Sequence, residues 1–385
     1  MTQAISPGQK QGQALYTFLR WVLVGCLLFG FLIAIKLMGS SIKAFGEGAA
    51  GNLFTGVENP FAGLSVGVLA TVLVQSSSTT TSTIVGLVGA AKSVALPLKS
   101  AVPMIMGANI GTTITNTIVS MGHIRQGPEF RRAFAAATVH DFFNLMCVAL
   151  LLPIELATGV LQGTATSMTR FFISESEGGN FKSPIKAAVK SASKVIKDAL
   201  EWFGLAGTPL TICLLLLGIG MTFVCLIFIT KNMRILISGP LERAMNKTLG
   251  KSGIAGILVG IMVTMAVQSS SITTSLLVPM CAAGVLTLEN AFPIMLGANI
   301  GTTVTAILAS QAAETSDGLT IALVHLLFNL AGVLIFYPIP AVRQIPLKMS
   351  RLLARKAQET PLWLVAYVFG MFVFLPLLGY LLFRN

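Results

Sequence analysis

The sequence predicts an all-α polytopic membrane protein built from two inverted-topology repeats, each with a re-entrant helical hairpin carrying a Gln-Ser-Ser-Ser tip. Three observations predict it. First, 54% of the 385 residues are hydrophobic and 10% are charged, with a mean hydropathy of +0.82. A soluble domain carries about 25% charged residues. A chain this apolar could not cover its surface with polar groups, which argues against a soluble enzyme or a disordered chain. Second, the apolar runs are long and continuous instead of alternating over ~10-residue strands, so a membrane β-barrel does not fit. Third, the chain repeats itself.

The duplication is carried by three matches in one order. Gln75-Ser76-Ser77-Ser78-Thr79-Thr80-Thr81-Ser82 recurs as Gln268-Ser269-Ser270-Ser271-Ile272-Thr273-Thr274-Ser275, identical at seven of eight positions. Gly107-Ala108-Asn109-Ile110-Gly111-Thr112-Thr113 recurs unchanged as Gly297 to Thr303. Each copy has a proline four residues before it (Pro103, Pro293) and a threonine two residues after it (Thr115, Thr305). His140-Asp141-Phe142-Phe143-Asn144 aligns with His325-Leu326-Leu327-Phe328-Asn329, and the three offsets are 193, 190 and 185. The expected organisation is a first repeat over 1–155 with its hairpin at about 61–98, and a linker over 156–205. A second repeat then covers 206–341 with its hairpin at about 254–288, and an interfacial helix and C-terminal membrane helix fill 342–385.

The elements come in order. Met1–Gln13 is polar, and the apolar run after Arg20 has no small-residue cleavage signal, so Val22–Met38 reads as a spanning helix and not a removed signal peptide. A loop over 39–60 holds one lysine and two glutamates. Phe61–Val74 and Thr83–Leu98 are apolar arms of 14 and 16 residues flanking the Ser/Thr motif. A full crossing needs ~20 residues, so the arms read as a hairpin that enters and leaves on one side. Ala101–Met121 reads as one crossing, a loop with Arg125, Arg131 and Arg132 comes next, and Ala133–Leu152 crosses back.

In the second half the loop 231–252 carries Lys231, Arg234, Arg243, Lys247 and Lys251, whereas 311–319 has Glu314 and Asp317 and no Lys or Arg. Lys and Arg gather in cytoplasmic loops, which puts 122–132 and 231–252 inside and 39–60 and 311–319 outside. Equivalent loops then fall on opposite sides, as in many secondary transporters. Most of the net charge of +12 is explained in the same way, so nucleic acid is not an expected partner. The linker disagrees with the charge rule, since it holds Arg170 and Lys182 and a run of further lysines. Lys186, Lys190, Lys194 and Lys197 oppose Ile185, Val189, Ile196, Leu200 and Phe203 on a basic amphipathic helix of membrane-surface type, kept outside here because long segments translocate regardless of charge. Arg343–Lys356 has the same character on the inner side, and Pro361–Phe383 reads as one more crossing.

Polar, irregular backbone survives at membrane depth only where it faces protein or lines a cavity. The alternative is that Ser, Thr and Gly merely let helices pack closely. Two copies related by inversion favour a binding centre at the midplane. Hydroxyls and helix N-termini suit an oxyanion. Amide and hydroxyl oxygens with carbonyls at helix breaks suit a small hard cation such as Na+. Neither tip holds Lys or Arg, so an anion bound there needs cations as company in a low dielectric. Asp141 is a carboxylate inside a crossing helix and a functional candidate on that ground, with pairing to Arg131, Arg132 or His140 as the alternative. Leu326 stands in its place in the second half. His140 and His325 read as structural hydrogen-bonders, Asn144 and Asn329 as cation ligands or interhelical glue, and Lys36 as able to snorkel. Cys26, Cys147, Cys213, Cys225 and Cys281 lie in apolar runs without metal-ligand or redox spacing.

On the two Gln-Ser-Ser-Ser motifs, the two Gly-Ala-Asn-Ile-Gly-Thr-Thr segments and the run from Glu129 through Phe134 into Val139–Asn144, the sequence resembles the type II sodium-dependent phosphate cotransporters. The resemblance covers about 20–155 and 205–340 and looks like a bacterial member. It implies symport of inorganic phosphate with sodium across the cell (inner) membrane, with no cofactor beyond the coupling ions. It places phosphate at Gln75, Ser76, Ser77, Ser78, Gln268, Ser269, Ser270 and Ser271. Around them it places sodium at Asn109, Thr112, Thr113, Thr115, Asp141, Asn144, Thr273, Asn299, Thr302 and Thr303. Family members with the acid at Asp141 are electrogenic, which sets the expectation here, and three Na+ per divalent phosphate is the expected ratio. The Thr79/Ile272 difference makes the two tips inequivalent. The partners implied are phosphate, Na+ and the lipid bilayer, with a homodimer as the candidate assembly. A symporter of sulfate or a dicarboxylate and an anion channel are the competing readings. An enzyme is disfavoured, because no triad order, metal-ligand set or P-loop lysine occurs.

Overall fold

The computed structural model describes residues 7–90, 96–177, 184–248 and 253–384. Among these residues every regular element is helical. In chain order they are α1 (Pro7–Phe54), α2 (Pro60–Val74), α3 (Ser77–Val88), α4 (Leu98–Gly111), α5 (Ile114–Met121), α6 (Gly127–Thr158), α7 (Val160–Glu177) and α8 (Pro184–Trp202). Then come α9 (Gly207–Thr248), α10 (Gly253–Val267), α11 (Ser270–Ala282), α12 (Leu288–Ser310), α13 (Asp317–Phe336), α14 (Pro340–Glu359) and α15 (Leu362–Phe383), the last with a π-helical turn at Gly370–Phe374.

Six stretches among the described residues are long and apolar enough to cross a bilayer: Leu15–Ser41, Gly127–Thr158, Gly207–Met233, Leu288–Ser310, Asp317–Phe336 and Leu362–Phe383. The expected single crossing Ala101–Met121 is instead two helices, α4 and α5, interrupted at Thr112–Thr113. The hydroxyls of those two threonines offer the backbone competing partners. Two expected loops are also different: α1 runs on through 39–54 and α9 through 231–248 as helix. Lys182 of the linker and Lys251 of the basic loop lie outside the described residues.

Equivalent helices of the two halves pack against each other in opposite directions. Arg20 of α1 donates to Asn232 of α9 at 2.6 Å, Gly30 faces Cys225, and Gly218 faces Ala34 and Met38, so α1 and α9 are antiparallel. Phe143 meets Phe336 with ring centroids 6.2 Å apart while Cys147 meets Gly332, so α6 and α13 are antiparallel too.

Close backbone approach fixes α2 on α4 and α10 on α12. A methyl placed on Gly67 would lie 2.1 Å from the Met104 carbonyl oxygen, and one on Gly107 would lie 2.0 Å from that of Leu64. The second half repeats the crossing with Gly260 against Ile294 at 2.1 Å and Gly297 against Ile257 at 2.0 Å. In lipid there is no hydrophobic force between helices, and small residues that admit this contact supply the packing instead.

At one end of the molecule Lys36 pairs with Glu314 at 3.0 Å, and the Gly89 carbonyl at the end of α3 accepts from the amides of Glu314 and Thr315 at 2.8 and 3.0 Å. Lys36 is therefore half-buried in an ion pair and does not simply snorkel. Lys190 of α8 lines the same cleft as Lys36 and Glu314, so the basic linker helix sits at the end where 311–319 lies. At the other end the start of α6, the α11–α12 connection and α14 come together, with Arg132 donating to the Ala282 carbonyl at 2.8 Å. α14 buries Leu347, Ser350, Ala354 and Ala357 on one face and exposes Lys348, Arg351 and Arg355 on the other, the pattern of a helix in the interface plane.

Gly107→Ala and Gly297→Ala are expected to destabilise the fold by about 1–3 kcal/mol or more each, because the backbone carbonyl opposite cannot move aside. Gly220→Ala, whose added methyl meets nothing within 4 Å, should leave stability unchanged or slightly raised. Thermal melting of the detergent-purified variants checks both.

Candidate functional site

The site begins with two helix breaks of the same shape. Gln75 (φ 52) and Gln268 (φ 58) are the only non-glycine residues with positive φ among the described ones. Each ends one apolar helix in the left-handed conformation, which costs a residue with a Cβ energy that the surroundings must offset. The next residue is extended and caps the succeeding helix. Ser76 (φ −149, ψ 104) accepts from the Thr79 amide at 3.2 Å, and Ser269 (φ −153, ψ 110) accepts from the Ile272 amide at 3.4 Å. Serine is a preferred cap because its short hydroxyl reaches an amide of the first turn. The remaining first-turn amides of α3 and α11 are left for other partners. Ser77 and Ser270 are buried there, and the Ser78 hydroxyl donates to the Gln268 carbonyl at 3.4 Å, which brings the two tips together.

The Gly-Ala-Asn-Ile-Gly-Thr-Thr segments supply a second matched set. Thr112 donates to the Ala108 carbonyl and Thr302 to that of Ala298, at 3.0 and 3.1 Å. Thr113 donates to the Ile110 carbonyl and Thr303 to that of Ile300, at 2.9 and 2.7 Å. The Asn144 amide donates to the Asn109 carbonyl at 2.9 Å and Asn329 to that of Asn299 at 3.2 Å. The duplicated sequence thus makes duplicated hydrogen bonds at its core.

Beyond that frame three matched hydroxyls diverge between the halves. In the second half Thr305 donates to the Gln268 side-chain oxygen at 2.9 Å, Thr264 donates to Thr273 at 2.9 Å, and Ser275 and Thr274 donate to Asn116 at 3.1 and 2.9 Å. The matching hydroxyls of the first half, Thr115, Thr71 and Ser82, are buried and have no partner. One cause is legible: Ala306 stands where Asn116 stands in the first half, so Ser82 has no amide to meet. Buried polar atoms are almost always bonded, so three matched exceptions in one half point to ions, waters or substrate as their partners.

His140 donates through Nε2 to the Asn299 oxygen at 2.6 Å, and the Asn299 amide donates to the Asn144 oxygen at 2.8 Å. This chain ties α6 to α12 across the halves. The expectation of a structural hydrogen bond holds for His140 but not for His325, neither of whose ring nitrogens has a partner.

Asp141 is buried, one turn before the end of that chain. Its Oδ2 accepts from the Tyr367 hydroxyl of α15 at 2.7 Å, and its Oδ1 has no partner. Arg131, Arg132 and His140 do not neutralise it: Arg132 is committed to the Ala282 carbonyl, His140 to Asn299, and Arg131 lies at the open end of α6. The carboxylate faces the Thr113 hydroxyl, beside the α4–α5 break. The second half has neither the acid nor the break, since α12 is continuous through Thr302–Thr303.

Sequence reasoning missed Tyr367, Asn116, Thr71 and Thr264. Tyr367 could not be found by aligning the halves, because α15 lies outside the duplication. The signal for Asn116 was available as an unmatched amide next to Thr115.

A multi-pass helical bundle whose two broken helix pairs meet at a buried, polar, cation-poor centre is the build of a secondary transporter. A family profile described as Na+/Pi-cotransporter matches residues 30–174 and 214–352, and the chain belongs to that family, a family of transporters and not of enzymes. It is 33% identical to "Sodium-dependent phosphate transport protein 2A" of Ovis aries, covering 96% of this chain and 68% of that protein. It is 33% identical to "Sodium-dependent phosphate transport protein 2B" of Homo sapiens, covering 93% of this chain and 64% of that protein. The chain therefore spans about two thirds of the length of these relatives. No solved structure matches it.

Asn299→Ala removes the acceptor of His140 and the donor to Asn144 together. We expect a loss of about 1–3 kcal/mol for the groups left unpaired, read as a lower melting temperature, with His140→Ala in the same background adding less than it does alone.

Proposed function

We propose that this protein carries inorganic phosphate into the cell together with sodium, by alternating access in a cell (inner) membrane. The observation that carries the reading is the meeting of the two Gln-Ser-Ser-Ser breaks, Ser78 on Gln268, in a centre without Lys or Arg. Two capped helix N-termini with serine hydroxyls offer hydrogen bonds and positive dipole ends to phosphate oxygens. We assign Gln75, Ser76, Ser77 and Ser78 and their counterparts Gln268, Ser269, Ser270 and Ser271 to phosphate.

The two halves, 1–155 and 206–341, are read as inverted-topology repeats and the broken pairs α2–α3 and α10–α11 as re-entrant hairpins. The antiparallel packing of α1 with α9 and of α6 with α13 supports this. So does the anchoring of the two hairpin ends at opposite ends of the molecule, Gly89 beside Glu314 and Ala282 beside Arg132.

Sodium is assigned to Asn109, Thr112, Thr113, Thr115, Asp141 and Asn144 in the first half, and to Thr273, Asn299, Thr302 and Thr303 in the second. The two sets are not equal. The unpartnered Asp141 Oδ1 and Thr115 hydroxyl and the α4–α5 break all fall in the first half, so that half holds the charge-bearing sodium site. Thr112, Thr113, Thr302 and Thr303 all spend their hydroxyl hydrogens on carbonyls of nearby residues in the preceding helical turn, and each offers sodium its oxygen lone pairs.

The energetics favour three Na+ per divalent phosphate. Each charge moved through 100 mV is worth ~2.3 kcal/mol, so a dianion entering an inside-negative cell works against ~4.6 kcal/mol. Two Na+ cancel that charge, and a third lets the potential drive uptake.

In proteoliposomes, radiolabelled phosphate uptake should require inward sodium and carry inward current, with about one net charge per phosphate. Uptake without sodium, or without current, would overturn the coupling. Excess sulfate that abolishes uptake would move the assignment to another oxyanion. Ser77→Ala with Ser270→Ala should lower phosphate uptake at least about tenfold in folded protein, as for lost charge-assisted hydrogen bonds. Asp141→Gly should abolish the current while some uptake remains, and an unchanged charge-to-phosphate ratio would refute the role given to Asp141.

A further inference from the structure

A cavity of about 650 Å³ opens between the start of α6, the α11–α12 connection and α14. Five cations line it: Arg131, Arg132, Lys348, Arg351 and Arg355. Glu289 is the one acid in the lining, and it is paired with Arg351. Five positive charges less one negative leave a net +4 on the wall. Arg131, Lys348 and Arg355 have no acidic partner among the described residues.

Apart from Thr287, the remaining lining is apolar or small, formed by Ala135, Cys281, Gly284, Leu286, Leu288 and Leu352. The lining residue Leu352 is 48% exposed, and Val285 and Met349, next in the chain to the lining residues Gly284, Leu286 and Lys348, are 60% and 42% exposed. Charge counting places the segments around the start of α6 and α14 on the cytoplasmic side, and the re-entrant reading of 254–288 brings the α11–α12 connection to the same side. α14, with its basic outer face, is a helix of interfacial type.

A cavity for a free inorganic anion would be small and polar throughout. This one is of drug-molecule size, cationic on one wall and apolar on the other, and continuous with an exposed apolar surface. Basic pockets between membrane helices on the cytoplasmic side suit lipid head groups. The geometry points to a binding site for an anionic phospholipid, its phosphate among Arg131, Arg132, Lys348 and Arg355 and its acyl chains along Leu286, Leu288 and Leu352. The shared chemistry is a phosphate anion, and the amphiphilic lining selects the lipid over the free ion. The inference stands on the membrane placement of the chain and not on its transport cycle.

The test is native mass spectrometry of the whole protein released from nanodiscs holding phosphatidylglycerol and phosphatidylcholine in equal amounts. Wild type should retain one phosphatidylglycerol and little phosphatidylcholine. Arg131→Gln, Lys348→Gln and Arg355→Gln together should lower retention at least about tenfold, since each cation near an anionic lipid contributes. Leu352→Trp fills the apolar side without touching charge and should lower retention too, so it carries the test if the triple variant fails to fold. Equal retention of the two lipids, or undiminished retention by both variants, would overturn the assignment. Release of phosphatidylglycerol by millimolar inorganic phosphate would overturn it in favour of a free-phosphate site.

Discussion

Polar backbone inside a bilayer has no water to turn to, and the rest of this structure depends on how that constraint is met. Gln75 and Gln268 break their helices in the left-handed conformation, which exposes amides and carbonyls at membrane depth. Ser76 and Ser269 cap α3 and α11, the threonines and asparagines of the neighbouring segments cover carbonyls, and the glycine crossings bring those segments close enough to do so. Most buried polar side chains among the described residues are bonded, and several of the exceptions, Thr71, Ser82, Thr115 and the Asp141 Oδ1, fall in the first half.

Those points are not shared equally. Three hydroxyls of the second half are met, Thr305 and Thr264 within their own half and Ser275 by Asn116 of the first, whereas the matching Thr115, Thr71 and Ser82 of the first half are left open. The same half holds Asp141 and the interruption of α4–α5. Three matched hydroxyls are thus spent in one copy and unpartnered in the other, a difference that a perfect repeat would not permit.

The helical membrane class and the existence of two breaks were legible in the sequence, because composition and the eight-residue motifs are direct consequences of the bilayer constraint. The α4–α5 interruption was not. Both Gly-Ala-Asn-Ile-Gly-Thr-Thr copies are identical, yet one helix breaks and the other continues, so the threonine hydroxyls permit a break and the neighbours decide whether it forms. The extension of α1 and α9 beyond their apolar spans was equally hidden, since polar residues such as Lys43 and Arg243 are good helix formers outside a membrane as well. Of the site residues, the Ser, Thr and Asn positions were found by repetition. Tyr367 was not, because repetition is blind to an element that occurs once. His325 shows the reverse failure: it is repeated, yet it has no counterpart to the bond that His140 makes.

The anchoring of the ends of α3 and α11 bears on whether either half could stand alone. The carbonyl at the end of α3, Gly89, is held by amides of residues 314 and 315, and its counterpart 193 positions later, Ala282, is held by Arg132. Each half closes the other. Cut apart, either half would leave the carbonyl at the end of its own short helix without the donor that the other half supplies.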